Sequence, residues 1–123
     1  MLINLTNHPS DKWSFEQKSI AEAQYGAVTD LEFPQIPPEA GLDYVIKLAH
    51  TYLKKVEGKL KGANNKKNAV HIMGELTFTY TMINFLLREK NIPAVASTTQ
   101  RDVEETPDGK ISRFKFVRFR EYF

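Results

Sequence analysis

The chain has no cysteine, a single tryptophan and three histidines in 123 residues. Without cysteine there are no disulfides and no zinc–thiolate sites, a composition that fits a reducing compartment. Charge of one sign is also missing. Seventeen Lys and Arg against fifteen Asp and Glu leave +2, too little to argue for bulk nucleic-acid binding, so no direct DNA contact is expected. No apolar run approaches the roughly 20 residues of a spanning helix, so no membrane partner is expected. The opening stretch from Met1 to Thr6 is too short for a signal peptide, and the expected location is the cytoplasm. No segment is low in complexity and no stretch repeats. What is present is ordinary for a globular protein, 41% hydrophobic and 26% charged. The length predicts one domain over residues 1–123 with a real core.

The strongest local signal is AVHIMGELTFT, residues 69–79. Residues 69–73 are almost continuously apolar, as a strand covered on both faces is. Gly74 permits a sharp turn, and Glu75 and Thr77 then fall in the first turn of a helix, where unpaired N–H groups collect. Such a turn is able to hold an anion.

Around it the chain reads as an alternation. Leu2–Thr6 is a first strand, and Asn7-His8-Pro9-Ser10 a turn, because Pro9 pushes His8 out of helical geometry. Ser14 and Gln17 form a capping box for a helix to about Gln24, with Phe15, Ile20 and Ala23 inward and Tyr25-Gly26 as its stop. Ala27–Leu31 is a short second strand, and residues 33–38 a proline-stiffened connector. Leu42, Val45, Ile46, Ala49, Leu53, Val56 and Leu60 recur at helical spacing on one face, with Gly58 weakening the end. Residues 61–68 form a polar loop. The lysines between Lys54 and Lys67 read as a solvated helix end. After the Gly74 corner a helix runs to about Lys90, with Leu76, Tyr80, Ile83, Leu86 and Leu87 inward, ended by Asn91 and Pro93. A fourth strand runs from Pro93 through Val103. Thr106-Pro-Asp-Gly109 is a turn, and Ile111–Tyr122 a last antiparallel strand. Simple alternation puts Phe114 with Phe116 on one of its faces, and Val117 with Phe119 on the other.

This order predicts an α/β fold of Rossmann-like, three-layer type. The expected sheet is mostly parallel, ordered 2-1-3-4-5, with an antiparallel C-terminal edge strand. Ligands of such sheets sit beyond the carboxyl ends of the strands at the switch point. That gathers Asn7, His8 and Ser10 from one loop, Gly74, Glu75 and Thr77 from another, and Ser97, Thr98, Thr99, Gln100 and Arg101 from the fourth strand. Donors, an imidazole, a carboxylate and a guanidinium together suit a phosphate-containing ligand. Each residue also has a plainer reading. Asn7 and Ser10 cap the turn, His8 is an exposed loop histidine, Glu75 complements the helix dipole, and Thr77 bonds nearby backbone. The arginines from Arg101 to Arg120 protect an edge strand. His71 reads as a satisfied core histidine, His50 as helix surface, and Trp13 as core, with stacking on a base as its alternative. No pattern calls for a metal or other cofactor, and no nucleophile elbow surrounds Ser10 or Ser97.

The opening LINLTNHPS and the MGELT corner, with the ending from Phe114 to Tyr122, resemble small CRISPR-associated proteins. These are stand-alone relatives of the CRISPR-associated Rossmann fold (CARF) domain, several of them proposed ring nucleases. The resemblance implies binding of a cyclic oligoadenylate and its cleavage without a metal, by attack of a ribose 2′-OH on the adjacent phosphate. It implies that the Asn7-His8-Ser10 loop and the Gly74-Glu75-Thr77 corner hold the ring, with His8 in proton transfer and Arg101 on the phosphate. The chain departs from that domain at Glu75, which stands where a Gly- and Lys-containing loop is usual. A two-fold symmetric ring matches a C2 homodimer, and the phenylalanine-rich last strand independently predicts one. Two other readings remain: a small Rossmann-like protein for another nucleotide or phosphorylated ligand, and an interaction module without a small-molecule site.

Overall fold

The computed structural model describes residues 1–63 and 67–123. The polar loop expected over 61–68 falls in part on residues 64–66, outside the described residues. The elements are β1 (Leu2–Thr6), a 3-10 turn (Ser10–Lys12), α1 (Phe15–Tyr25), β2 (Val28–Asp30), α2 (Leu42–Leu60), β3 (Ala69–Met73), α3 (Leu76–Asn84), a π-helical turn (Phe85–Glu89), β4 (Ala94–Thr106) and β5 (Gly109–Glu121). The sheet order is β2-β1-β3-β4-β5. The first three pairings are parallel and β5 runs antiparallel at the edge. The expected architecture and strand order are those observed.

Period-two alternation on β1 and β3 divides the core into two layers. Ile3, Leu5, Val70 and Ile72 pack with Val45, Ala49, Leu53 and Val56 of α2 and Phe78, Met82 and Leu86 of the α3 side. Leu2 and Ala69 turn the other way, to Trp13, Ala21 of α1, Val95, Phe116 and Phe119. Asn4, Thr6 and His71 lie on that second face and are buried polar groups. The sheet is therefore polar on the side of α1 at its carboxyl end, a feature hidden within runs that read as apolar.

Several inward positions differ from expectation. On α1 it is Gln17 and Ala21 that are buried, while Phe15 and Ala23 are exposed and Ile20 is half-buried. Ser14 caps the helix by accepting from the Gln17 N–H at 3.2 Å. The Gln17 side chain does not complete the capping box but turns inward. Leu42, Leu76 and Tyr80 are exposed. α3 instead buries Phe78, Thr79 and Met82, a stripe that places Leu76 and Tyr80 on the opposite, outer side of the helix.

The last strand carries the largest correction. Thr98 faces Arg118, yet Thr99 faces Phe116. Val117 is the extra residue of a β-bulge, which resets the alternation. Phe119 thereby joins Phe116 on one face, their ring centroids 5.0 Å apart, while Phe114 and Val117 stay exposed. β3 meets β4 at Ala94 and Val95. Beyond these, β4 and β5 continue as a two-stranded ribbon to Thr106 and Gly109.

Candidate functional site

Beyond the carboxyl ends of β1, β3 and β4 opens a cleft of about 640 Å³, lined by Thr6, Asn7, His8, Lys12, Trp13, Ser14, Gln17, His71, Met73, Ser97, Thr99, Phe114 and Phe116. This is the switch-point crevice of a doubly wound sheet, and its volume is that of a small-ligand site. A larger hollow, about 940 Å³, lies at the other end of the strands beside Ala69, Pro93 and Arg120. Lys67 and Asn68 are among its lining residues, and it sits where parallel sheets do not place ligands.

A buried hydrogen-bond network shapes the cleft floor. The Asn4 amide donates to the His8 carbonyl at 2.9 Å and to Asp30 Oδ1 at 2.8 Å. Both are acceptors only, so the amide nitrogen must face them and Oδ1 must face the other way. There it meets the Thr6 hydroxyl at 2.9 Å and Nδ1 of His71 at 2.9 Å. The Thr6 oxygen in turn accepts the His8 N–H at 3.1 Å. Since Asn4 Oδ1 can only accept, His71 carries its proton on Nδ1. Burial, and secondarily the His8 imidazole, lower the His71 pKa from 6.5 to about 4. At neutral pH the ring is uncharged, and Nε2 is a bare lone pair. That nitrogen is buried and has no hydrogen-bond partner. The expected core histidine is thus satisfied at one nitrogen and open at the other.

The same network locks the loop after β1. Asp30 accepts from the Ser10 N–H at 3.1 Å and from its hydroxyl at 2.8 Å. Burial raises the Asp30 pKa, but the bonds from Asn4 and Ser10, with the Lys59 charge, outweigh it and hold the carboxyl below its usual value. The Trp13 indole donates to the His8 carbonyl at 3.2 Å and stands edge-on to His71 with centroids 5.4 Å apart. The His8 backbone is therefore fixed from three sides, while its exposed side chain lines the cleft.

Of the residues singled out by sequence, Asn7, His8, Ser97 and Thr99 meet in this cleft. Ser10 is turned to Asp30. The Thr98 hydroxyl donates to the Arg118 carbonyl at 3.2 Å. Arg101 continues the strand face of Ser97 and Thr99 outward along the ribbon, where its Nη2 lies 3.0 Å from the Ser112 hydroxyl. The Gly74 corner stands apart. Phe33, buried in the main core, packs so closely on Gly74 that a Cβ would overlap its ring, so the glycine serves the core. Glu75 is the N-cap of α3 rather than a first-turn residue. Its carboxylate accepts from the N–H groups of Thr77 at 3.0 Å and Phe78 at 2.8 Å, and from the Thr77 hydroxyl at 2.7 Å. Those bonds, the Thr77 hydroxyl foremost, hold its pKa below the usual value. The helix end that was expected to take a ligand anion is filled by the protein's own.

Sequence reasoning did not select Thr6, Lys12, Ser14, Gln17, His71, Met73, Phe114 or Phe116 as lining residues, and it set Trp13 in the core ahead of stacking on a base. A usable signal was the polar set Asn4, Thr6 and His71 at alternate strand positions. Among the described residues, no three His, Asp or Glu side chains converge to hold a metal ion, and no helix is long and apolar enough to cross a membrane.

Fold and crevice together define a Rossmann-like α/β protein with a switch-point cleft. The chain belongs to the family described as Uncharacterized protein MJ1673 family, matched over residues 1–120. It is similar to Uncharacterized protein MJ1673 of Methanocaldococcus jannaschii, 37% identical over 75 residues, which cover 58% of this chain and 57% of the relative. The chain thus aligns with a little over half the length of that relative. No solved structure matches.

Proposed function

We propose that the switch-point cleft binds a cyclic oligoadenylate and that the chain cleaves it as a ring nuclease. The observation that carries this reading is the joint lining of one cleft by His8, Lys12, Asn7, Ser97 and Thr99 with Trp13 and Phe114. Aromatic faces stack bases whatever their sequence. A lysine and hydroxyls suit phosphate oxygens, and imidazole exchanges a proton near neutral pH. In the reaction, His8 accepts the proton of a ribose 2′-OH as that oxygen attacks the adjacent phosphorus. The P–O5′ bond breaks, the 5′-oxygen takes up a proton, and a linear product with a 2′,3′-cyclic phosphate leaves. Nucleophile and leaving group both belong to the ligand, so the protein's part is in-line positioning and charge stabilisation. Lys12, rather than Arg101, is the cation at this cleft. The resemblance to CRISPR-associated proteins in the LINLTNHPS opening supports the same reading.

The proposal includes a homodimer joined through the β4–β5 ribbon. An isolated two-stranded ribbon is marginal in water, and this one exposes Val103, Ile111, Phe114 and Val117. A two-fold axis would present paired clefts to a two-fold ring.

The test is incubation of the protein with cyclic tri-, tetra- and hexa-adenylate in EDTA, with thermal shift and product analysis side by side. Stabilisation by one ring size and conversion to linear adenylates are the expected results, with conversion lost in His8→Ala. If no ring stabilises the protein and none is cut, the reading fails. Stabilisation by mononucleotides or dinucleotides alone would favour another phosphorylated ligand. Sedimentation of the wild type and of Val103→Lys reads the dimer.

A further inference from the structure

Two polar side chains lie buried against this cleft with unmet hydrogen-bonding capacity. His71 is 3% exposed and Gln17 8%. The Nε2 of His71 has no partner. Among the described residues, no hydrogen bond uses the Gln17 side-chain amide; the Gln17 backbone N–H donates to Ser14 Oγ. A fully enclosed polar atom without a partner is costly and rare in native proteins; His71 Nε2 is such an atom, whereas the Gln17 amide keeps contact with solvent. Both residues line the cleft, so a ligand in the cleft is the partner the fold provides for.

The chemistry of that ligand follows from what the two groups offer. His71 Nε2 is an acceptor only, because Asn4 fixes the proton on Nδ1. The Gln17 amide supplies one acceptor and a donor pair. An anion is excluded at His71 by its lone pair. A metal ion is disfavoured, since no three His, Asp or Glu side chains gather there among the described residues. The complement of two acceptors and a donor is an amino group next to a ring nitrogen. Walls of Trp13, Phe114 and Phe116 shape the space for a flat group.

We propose that Gln17 and His71 form a base-reading subsite for adenine. One amino hydrogen goes to Nε2 of His71, and the other pairs with the Gln17 carbonyl while the Gln17 N–H meets the adjacent ring nitrogen. The pairing of a carboxamide with adenine's amino group and N7 is the one used in nucleic-acid recognition. In the free protein Nε2 is shielded from water. Met73 lies on the same strand face two residues on, is 41% exposed, and is flexible enough to move aside. Its sulfur accepts a weak bond from the Ser97 hydroxyl at 3.3 Å. This subsite rests on the reading of the cleft as a nucleotide site and specifies its base.

The experiment compares 5′-AMP with 5′-IMP, in which the amino group is replaced by a carbonyl that would face the Nε2 lone pair. Calorimetry on the wild type should show about ten- to hundredfold tighter binding of AMP. Gln17→Met removes the amide at similar volume. His71→Asn keeps a donor for Asn4 Oδ1 and lacks Nε2. Each should erase most of the preference. Nitrogen NMR of His71 supplies a readout free of folding effects. Nε2 should resonate as an unprotonated nitrogen and shift with AMP but not with IMP. Equal affinity for the two nucleotides, no binding of either at millimolar concentration, or a preference surviving both substitutions overturns the subsite. An AMP preference that needs both residues, with no response to cyclic oligoadenylates, keeps the subsite and rejects the second-messenger reading. Binding of cyclic oligoadenylates with no AMP preference does the reverse.

Discussion

The Nδ1 of His71 and the Oδ1 of Asn4 lie 2.9 Å apart, joining adjacent parallel strands through side chains as well as backbone. Asn4 and His71 are register partners of β1 and β3, so the bond spans the sheet at its switch point. All four hydrogen-bonding valences of the Asn4 amide are used, on His8, Asp30, Thr6 and His71. Asn4→Leu keeps the volume and leaves those partners unpaired in a site that is 1% exposed. The expected loss is about 2–4 kcal/mol, read as a lower urea midpoint at unchanged slope. A loss under about 0.5 kcal/mol, the scale of a surface change, would mean the network is not what sets this loop.

The neutrality of His71 makes stability depend on pH with a definite sign. Its folded pKa is lowered to about 4 from the ordinary 6.5. Above pH 6.5 the ring is neutral in both states and its contribution is complete. As pH falls from 6.5 toward 4, the unfolded imidazole takes up a proton that the folded one refuses, so stability drops. The full gap corresponds to roughly 3 kcal/mol. Asp30, with its lowered pKa, acts in the same direction at its own lower range. Denaturation curves at half-unit pH steps should show the decline in wild type, and a shallower one in His71→Asn. Equal slopes would rule out the buried imidazole as the cause.

Two glycines should respond to alanine with opposite sign. At Gly74 the added Cβ would clash with the outer edge of the Phe33 ring, and overpacking of that kind costs about 1–3 kcal/mol. At Gly58, inside α2, the space is open, and a helical alanine gains about 1 kcal/mol. Melting temperatures should fall for Gly74→Ala and rise for Gly58→Ala. Phe33→Leu should shrink the Gly74→Ala penalty, since neighbours sharing one contact are not additive.

Strand order and element types were legible because they rest on long patterns: alternating segments, the Tyr25-Gly26 and Asn91-Pro93 stops, and the turn at 106–109. Individual faces were less so. Leu76 and Tyr80 sit at helical spacing with Ile83 and Leu87, yet α3 buries the neighbouring stripe of Phe78, Thr79 and Met82, and in a helix start this rich in apolar residues periodicity does not decide between the two faces. The Val117 bulge is equally silent, because one inserted residue leaves composition untouched while reversing Phe119. At the site, His8 and Asn7 were legible from the loop after β1. Gln17 was not, since its spacing from Ser14 matched a capping box that its side chain does not make. Gly74 and Glu75 were selected for a ligand corner. The first answers to Phe33 and the second to its own helix, contacts that come from distant or purely local chain and have no spacing signature.

Glu75 separates those two accounts of the α3 terminus. As an N-cap it accepts two backbone N–H groups and the Thr77 hydroxyl. Removing a cap of this type costs about 1 kcal/mol. Glu75→Ala should therefore melt earlier by a few degrees and bind nucleotide as tightly as wild type, because its carboxylate lies outside the cleft lining. Were a ligand phosphate seated at this helix end instead, the carboxylate would repel it, and deleting Glu75 would free two N–H donors. Affinity would then rise and become more sensitive to salt. Isothermal titration of Glu75→Ala at two ionic strengths distinguishes the outcomes. Unchanged affinity at both would assign the residue to folding alone, whereas a tenfold gain at low salt would move the phosphate subsite from the Lys12 side of the cleft to the start of α3.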